Sequence, residues 1–138
     1  MAELAPVREI IKDHAGNIYL ILWIEDNILY GRYADNLHLS LDIARYVVTE
    51  RLKFCRYKDY LGFIDVRGIR SASKEAREYL ANEGSEGIIA GALLIDSILT
   101  RTLGNIFLMI NKPKMPSKLF TSEDEAIAWL KGFNKELN

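Results

Sequence analysis

Hydrophobic residues in the first third of the chain follow the pattern of short β-strands. Runs rich in β-branched and aromatic residues occupy residues 7–11, 18–24 and 28–33. Short polar breaks at 13–17 and 25–27 separate these runs, and such breaks are typical of hairpin connections. We therefore predict that the fold begins with an antiparallel meander of strands.

The period changes to that of a helix after residue 40. Over residues 41–57 the apolar side chains fall on one half of a helical wheel, with Arg51 as the single charged residue among them. Ser40 precedes this segment and is predicted to cap its first turn. Cys55 lies on the apolar half, so we expect a buried and unreactive thiol.

Strands and helices alternate in the rest of the chain. Buried strands are predicted at 61–66 and 88–95, where the apolar runs are continuous, as they are in parallel central strands. Helices are predicted at 74–83, 96–110 and 122–133. An exit loop over 67–73 and a short last strand before the final helix complete the order.

Strand–helix–strand connections are right-handed and place their strands parallel to each other. The sequence therefore predicts an α/β fold, in which a mixed β-sheet is flanked by about four helices. The N-terminal meander supplies the antiparallel part of this sheet, and the later strands supply the parallel part. We expect a single domain over residues 1–138, with its core at about 15–133.

Composition narrows the class of protein. The 138 residues carry 18 basic and 19 acidic side chains, which argues against a polybasic nucleic-acid binder and against a disordered chain. One cysteine cannot form an internal disulfide or a Cys-rich zinc site. Residues 1–15 lack the apolar run of a secretory signal, and charged residues interrupt the most apolar stretch, so we expect a cytoplasmic protein without a membrane span.

No catalytic constellation is visible in the sequence. The two histidines, His14 and His38, have no serine or cysteine partner at a recognisable spacing, and glycine-rich phosphate loops are absent. We therefore expect no catalytic residues, no cofactor and no metal site. An enzyme whose site cannot be read from the sequence stays open as an alternative.

One segment has the composition of an anion-binding site. A predicted strand leads there into the start of a helix, and helix N-termini favour anions. The candidate residues are Arg67, Arg70, Ser71, Ser73 and Lys74. The alternative interpretation is a solvated loop in which Ser73 only caps the helix.

The helix predicted at 96–110 has more apolar residues than one buried face requires. Most of them share one arc of the wheel: Ile98, Leu99, Leu103, Ile106, Met109 and Ile110. Phe107 and Leu108 fall outside that arc. They indicate either burial on both sides or an apolar interface with a partner subunit, a lipid or another apolar ligand.

The end of the chain resembles that of the SpoIIAA-like proteins, relatives of the STAS and Sec14-like domains. The residues concerned are 118–121 (KLFT), 123–126 (EDEA), Trp129 and Leu130. The apolar strand ending in Asp65 is similar to the STAS strand before the functional loop. The resemblance covers about residues 15–133 and implies the mixed sheet described above.

One position departs from the anti-anti-sigma STAS pattern. Val66 stands where those proteins carry a phosphorylatable serine, so the phosphorylation switch does not carry over. The resemblance implies a non-catalytic bacterial domain that acts in protein interaction or regulation, with a protein partner or a second copy in a homodimer. The alternative that it implies is a binder or carrier of an apolar small molecule or lipid in the Sec14-like manner. Such a carrier needs an apolar cavity of several hundred Å³.

Overall fold

A six-stranded mixed sheet forms the centre of the fold in a computed structural model that describes residues 5–137. The strands are β1 (Glu9–Lys12), β2 (Ile18–Glu25), β3 (Ile28–Tyr33), β4 (Leu37–Leu39), β5 (Tyr60–Asp65), β6 (Ile69–Ala72), β7 (Ile88–Leu94) and β8 (Ser117–Phe120). The helices are α1 (Leu41–Phe54), α2 (Lys74–Ala81), α3 (Ile98–Ile106) and α4 (Glu123–Leu137). Residues 1–4 and 138, the ends of the single domain expected from the sequence, lie outside the described residues.

The central sheet has the order β1-β2-β3-β5-β7-β8. Pairing is antiparallel from β1 to β3 and parallel from β3 to β8. This confirms the predicted fold class, an antiparallel meander joined to parallel strands and flanked by helices. Because the parallel strands run in one direction, β3, β5 and β7 end at the same edge of the sheet.

The two faces of the sheet bury different sets of apolar side chains. On one face, Ala126 and Leu130 of α4 pack against Leu61 and Phe63 of β5. On the other face, α1, α2 and α3 cover the sheet, with Val47 of α1 in the core. Alternation along each strand assigns successive residues to these two cores.

The helix starts follow the local signals in the sequence. The Ser40 hydroxyl accepts a hydrogen bond from the Ile43 amide, and the Ser73 hydroxyl accepts one from the Ala76 amide. The first helix ends at Phe54 rather than at residue 57, because Arg56 and Tyr57 take left-handed backbone conformations. A helix cannot continue through such residues.

The exit loop predicted at 67–73 is wrong in part, because residues 69–72 form strand β6. This strand pairs in parallel with β4, which the sequence did not indicate, in a separate two-stranded sheet. Both strands are short, and the chain between them includes the whole of α1 and β5. Their pairing is therefore a long-range contact that a local pattern does not reveal.

The helix predicted at 96–110 is shorter, and its orientation differs from the wheel. Helix α3 begins after a Ser97 capping box, and residues 107–111 form a π-helical turn. Thr100 and Gly104 face the protein, whereas Ile98 is 87% exposed. Ile98 precedes the π turn, so its exposure follows from the side of α3 that packs on the protein and not from a change of helical period.

Close packing at Gly104 explains the orientation of α3. A Cβ atom at this position would lie 2.7 Å from Leu119 Cδ2 of β8. The helix can approach the sheet only where the side chain is absent.

No helix within residues 5–137 is long and apolar enough to cross a membrane.

Candidate functional site

Two spaces of opposite character border the parallel strands, the first of them at the carboxyl edge. The first is a polar cleft of about 400 Å³. Asp65 at the end of β5 and Asp96 after β7 line this cleft together with Arg32, Arg67 and Arg70. Open α/β sheets place ligands at this edge, so the position agrees with the anion site predicted from the sequence.

The cleft is built around a buried carboxylate. Arg67 donates two side-chain hydrogen bonds to Asp65, from Nε at 3.0 Å and from Nη2 at 2.8 Å, and its amide donates a third. Arg32 Nε lies 3.9 Å from the same carboxylate. The hydrogen bond to Asp65 raises the pKa of Arg67. This bidentate pair fixes the conformation of the turn that follows β5.

The other four anion-site candidates also contact neighbours within the chain. Their contacts are Arg70 Nε to Asn36 Oδ1 at 3.0 Å, Ser71 Oγ to His38 Nδ1 at 2.7 Å, Ser73 Oγ to the Ala76 amide at 3.1 Å, and Lys74 Nζ to Glu78 Oε1 at 3.9 Å. Only Arg67 and Arg70 reach the cleft, because strand β6 directs the later residues away from it. Anion binding at this segment stays a prediction.

The second space is an apolar cavity of about 150 Å³ between the sheet and helices α1 to α3. Its lining is almost entirely apolar. Each covering element contributes to its wall: Leu22, Ile64 and Leu93 from the sheet, Val48 from α1, Leu80 from α2 and Leu103 from α3. The cavity therefore lies between the sheet and the helices that cover this face.

Two glycines lie side by side in the central strands. Gly62 of β5 pairs directly with Gly91 of β7, and Gly91 lies on the cavity wall. Ile64 and Leu93 are the next residues on the same face of these strands. Side chains of neighbouring segments lie 3.5 Å and 3.4 Å from the positions that Cβ atoms would take at these two glycines, so the pair permits close packing over the sheet.

Two arginines on the cavity wall have their side chains bonded to backbone carbonyls. Arg51 of α1 donates to the carbonyl oxygens of Glu86 at 2.6 Å and Gly84 at 2.9 Å. Arg77 of α2 donates to the carbonyl oxygen of Ala72 at 2.6 Å. Burial lowers the pKa of Arg51. These bonds join the helices to the segments that close the cavity.

Tyr33, the last residue of β3, stands at the wall of both spaces. Burial raises the pKa of its phenol to about 12, with a smaller opposing effect of Arg51. The phenol is therefore neutral across the physiological range. No local pattern in the sequence identified Tyr33, because its place on a strand of the meander did not show what its side chain faces.

The predicted apolar interface residues are half-buried. Phe107 lies on the cavity wall, and Leu108 is the next residue of the π turn. The strongly exposed apolar side chains of this segment are Ile98, Met109 and Ile110. The structure thus brings Phe107 to the cavity.

Within residues 5–137, histidine, cysteine and carboxylate side chains form no cluster that could hold a metal ion.

A family model described as a domain of unknown function (DUF7793) matches residues 22–134. No curated protein matches the chain. A solved structure similar to the chain is that of an uncharacterized protein from the DUF3478 family, with a SpoIIAA-like fold, from Shewanella loihica PV-4. The two chains are 14% identical, the alignment covers 94% of this chain and 98% of the other, and the TM-score is 0.49. That protein is described with the fold that the sequence resemblance named.

Proposed function

The chain belongs to the family of the domain of unknown function DUF7793, and we propose that this domain is non-catalytic and binds a small apolar molecule. The binding site of this proposal is the apolar cavity between the sheet and helices α1 to α3. The cavity and its apolar lining are the observation that carries the proposal. A cytoplasmic location stays a prediction.

The size of the cavity defines the class of ligand. A dry apolar cavity of about 150 Å³ accommodates a molecule such as benzene. Carriers of whole lipids need cavities of several hundred Å³, so the Sec14-like alternative is narrowed here to a small apolar molecule.

Unfilled space in a protein core is destabilising, because the side chains around it lack contacts on one side. Cavities in protein cores cost about 24 cal/mol per Å³, which gives about 3–4 kcal/mol for this volume. A domain of this size has only about 5–15 kcal/mol of net stability. An apolar ligand that fills the space restores the missing van der Waals contacts and stabilises the folded state.

The test is a titration of the protein with toluene, followed through the amide resonances. We expect saturable shifts at residues of the cavity wall, together with an increase in melting temperature. Leu103→Phe reduces the free volume and should weaken toluene binding by at least about tenfold. Leu99→Phe changes the same helix outside the cavity wall and should bind like the wild type. Absence of binding, or equal binding by both variants, would contradict the proposal.

Protein interaction, the first expectation from the sequence, is favoured by a different observation. Met109 and Ile110 of the π turn are 69% and 71% exposed, and Ile98 of α3 is also exposed. Exposed apolar side chains of this size are typical of contact surfaces. We propose a second copy of the chain as the partner, in a homodimer through this surface.

Sedimentation equilibrium tests the homodimer. Met109→Glu should convert a wild-type dimer into monomers, because burial of an unpaired carboxylate opposes association. Thr102→Glu, on the exposed side of α3, serves as the charge-matched control. A wild-type protein that stays monomeric at high concentration would refute the homodimer.

A further inference from the structure

The polar groups around the apolar cavity differ in whether they have partners. Arg51 and Arg77 donate to backbone carbonyls, as described above. The Thr100 hydroxyl takes part in the capping box of α3, where it accepts hydrogen bonds from the amides of Asp96 and Ser97. These three side chains are therefore committed to the fold.

Tyr33 is different, because no hydrogen bond joins its hydroxyl to another of the described residues. Within the described residues, every side-chain oxygen or nitrogen that water cannot reach has a hydrogen-bond partner. The Tyr33 hydroxyl must therefore border a free space. Tyr33 lines the apolar cavity and also the polar cleft, so this space is one of the two.

The direction of the hydroxyl follows from its surroundings. Tyr33 lies on the same face of β3 as Leu29, which also lines the cavity. The shared face directs the Tyr33 side chain toward the cavity, where Arg51 also lies on the wall.

We propose that the Tyr33 hydroxyl anchors the cavity ligand by a hydrogen bond to a single uncharged polar group. This inference rests on the proposed function and specifies the ligand class: a compact, benzene-sized molecule with one hydroxyl or carbonyl group. A ligand that offers a hydrogen-bond partner to this hydroxyl binds better than an equally large hydrocarbon, which fills the space without forming that bond.

The apolar lining also excludes a charged ligand. The guanidinium groups of Arg51 and Arg77 hold backbone carbonyls, and the remaining wall offers almost no polar surface to an ion. Moving a carboxylate out of water into such a space is strongly unfavourable. A neutral phenol or alcohol retains its hydrogen bond and loses far less hydration.

The experiment compares three probes of similar size at pH 7: toluene, phenol and benzoate. Calorimetry measures their affinities for the wild type, for Tyr33→Phe and for Tyr30→Phe. Tyr30 is the matched control, because it lies on the other face of β3, where its ring stacks on Trp23 at 5.2 Å. Toluene lacks a polar group, phenol adds one uncharged hydroxyl, and benzoate adds a charge.

We expect Tyr33→Phe to lower the ratio of phenol affinity to toluene affinity about three- to tenfold, the effect of one neutral hydrogen bond. Tyr30→Phe should leave this ratio unchanged, and benzoate should bind weakest. In the wild type, phenol but not toluene should shift the ¹³Cζ resonance of Tyr33. That measurement decides the question even where Tyr33→Phe fails to fold.

The outcomes separate the inference from the proposed function. If toluene binds but Tyr33→Phe leaves the ratio unchanged, the anchoring role is wrong and the apolar site remains. Preferential binding of benzoate would overturn the uncharged ligand class. If none of the probes enters the cavity, the proposed function fails, and the inference fails with it.

Discussion

Arg51 provides the most direct test of how the cavity is closed. Its side chain is only 6% exposed, and it donates to the carbonyl oxygens of Glu86 and Gly84, more than thirty residues further along the chain. Through these bonds, α1 holds the turn that leads into β7. We expect Arg51→Leu to destabilise the fold by breaking this connection.

The magnitude follows from two opposing effects. Each hydrogen bond from a charged donor contributes about 1.5–3 kcal/mol, so the loss of two removes about 3–6 kcal/mol. Leucine also relieves the burial of an unpaired charge, which offsets part of this loss. We therefore expect the free energy of unfolding to fall by about 2–4 kcal/mol.

Urea unfolding followed by circular dichroism measures this change. With a slope of about 2 kcal/mol per molar urea, the midpoint should fall by about 1–2 M. Lys53→Leu is the matched control, because Lys53 lies on the exposed side of α1 in a surface ion pair with Glu50. Its effect should stay within about 0.5 kcal/mol.

Arg51→Lys refines the test, because one ammonium group does not reproduce the planar fork of a guanidinium. Its stability should lie between those of the wild type and Arg51→Leu. If Arg51→Leu unfolds at the same urea concentration as Lys53→Leu, the two hydrogen bonds do not hold the turn in place. A role of Arg51 in closing the cavity would then be refuted.

Three further predictions concern single side chains. Trp129→Ala should lower the free energy of unfolding by about 3–5 kcal/mol, because the indole packs against Phe120 and Phe133. A melting temperature within about two degrees of the wild type would contradict this prediction. Cys55 is buried, and burial raises the pKa of its thiol, so a thiol reagent should label it only on unfolding. Rapid labelling of the native protein would contradict this. Tyr33 keeps its proton in the folded state up to about pH 12 but loses it near 10 when unfolded. Stability should therefore fall as pH rises through this interval, and equal slopes of stability against pH for wild type and Tyr33→Phe would count against it.

Local signals in the sequence determined most of the secondary structure. The alternation of apolar residues in β2 and β3, the helical period of α1, and the caps at Ser40 and Ser73 depend on neighbouring residues alone. The mixed sheet followed from the order of elements, because strand–helix–strand connections restrict the topology. Burial of Cys55 was predicted from its position on the apolar half of α1, and the structure confirms it.

The candidate site was less accessible to sequence reasoning. Basic residues near the end of β5 indicated the carboxyl edge of the sheet, and Arg67 and Arg70 do line the cleft there. The bidentate pair of Arg67 with Asp65 was not foreseen. Arg51 was visible as a charge among apolar residues, but nothing local identified the carbonyls that it binds.

The tertiary structure alone decided where free space remains inside the molecule. Gly62 and Gly91 lie 29 positions apart in the sequence and become neighbours only when β5 pairs with β7. The approach of α3 to the sheet depends on Leu119 meeting Gly104, and the face that Tyr33 presents to the cavity depends on the helices above it. A cavity is the space that several distant segments fail to fill together, so the pattern of each segment by itself cannot predict it.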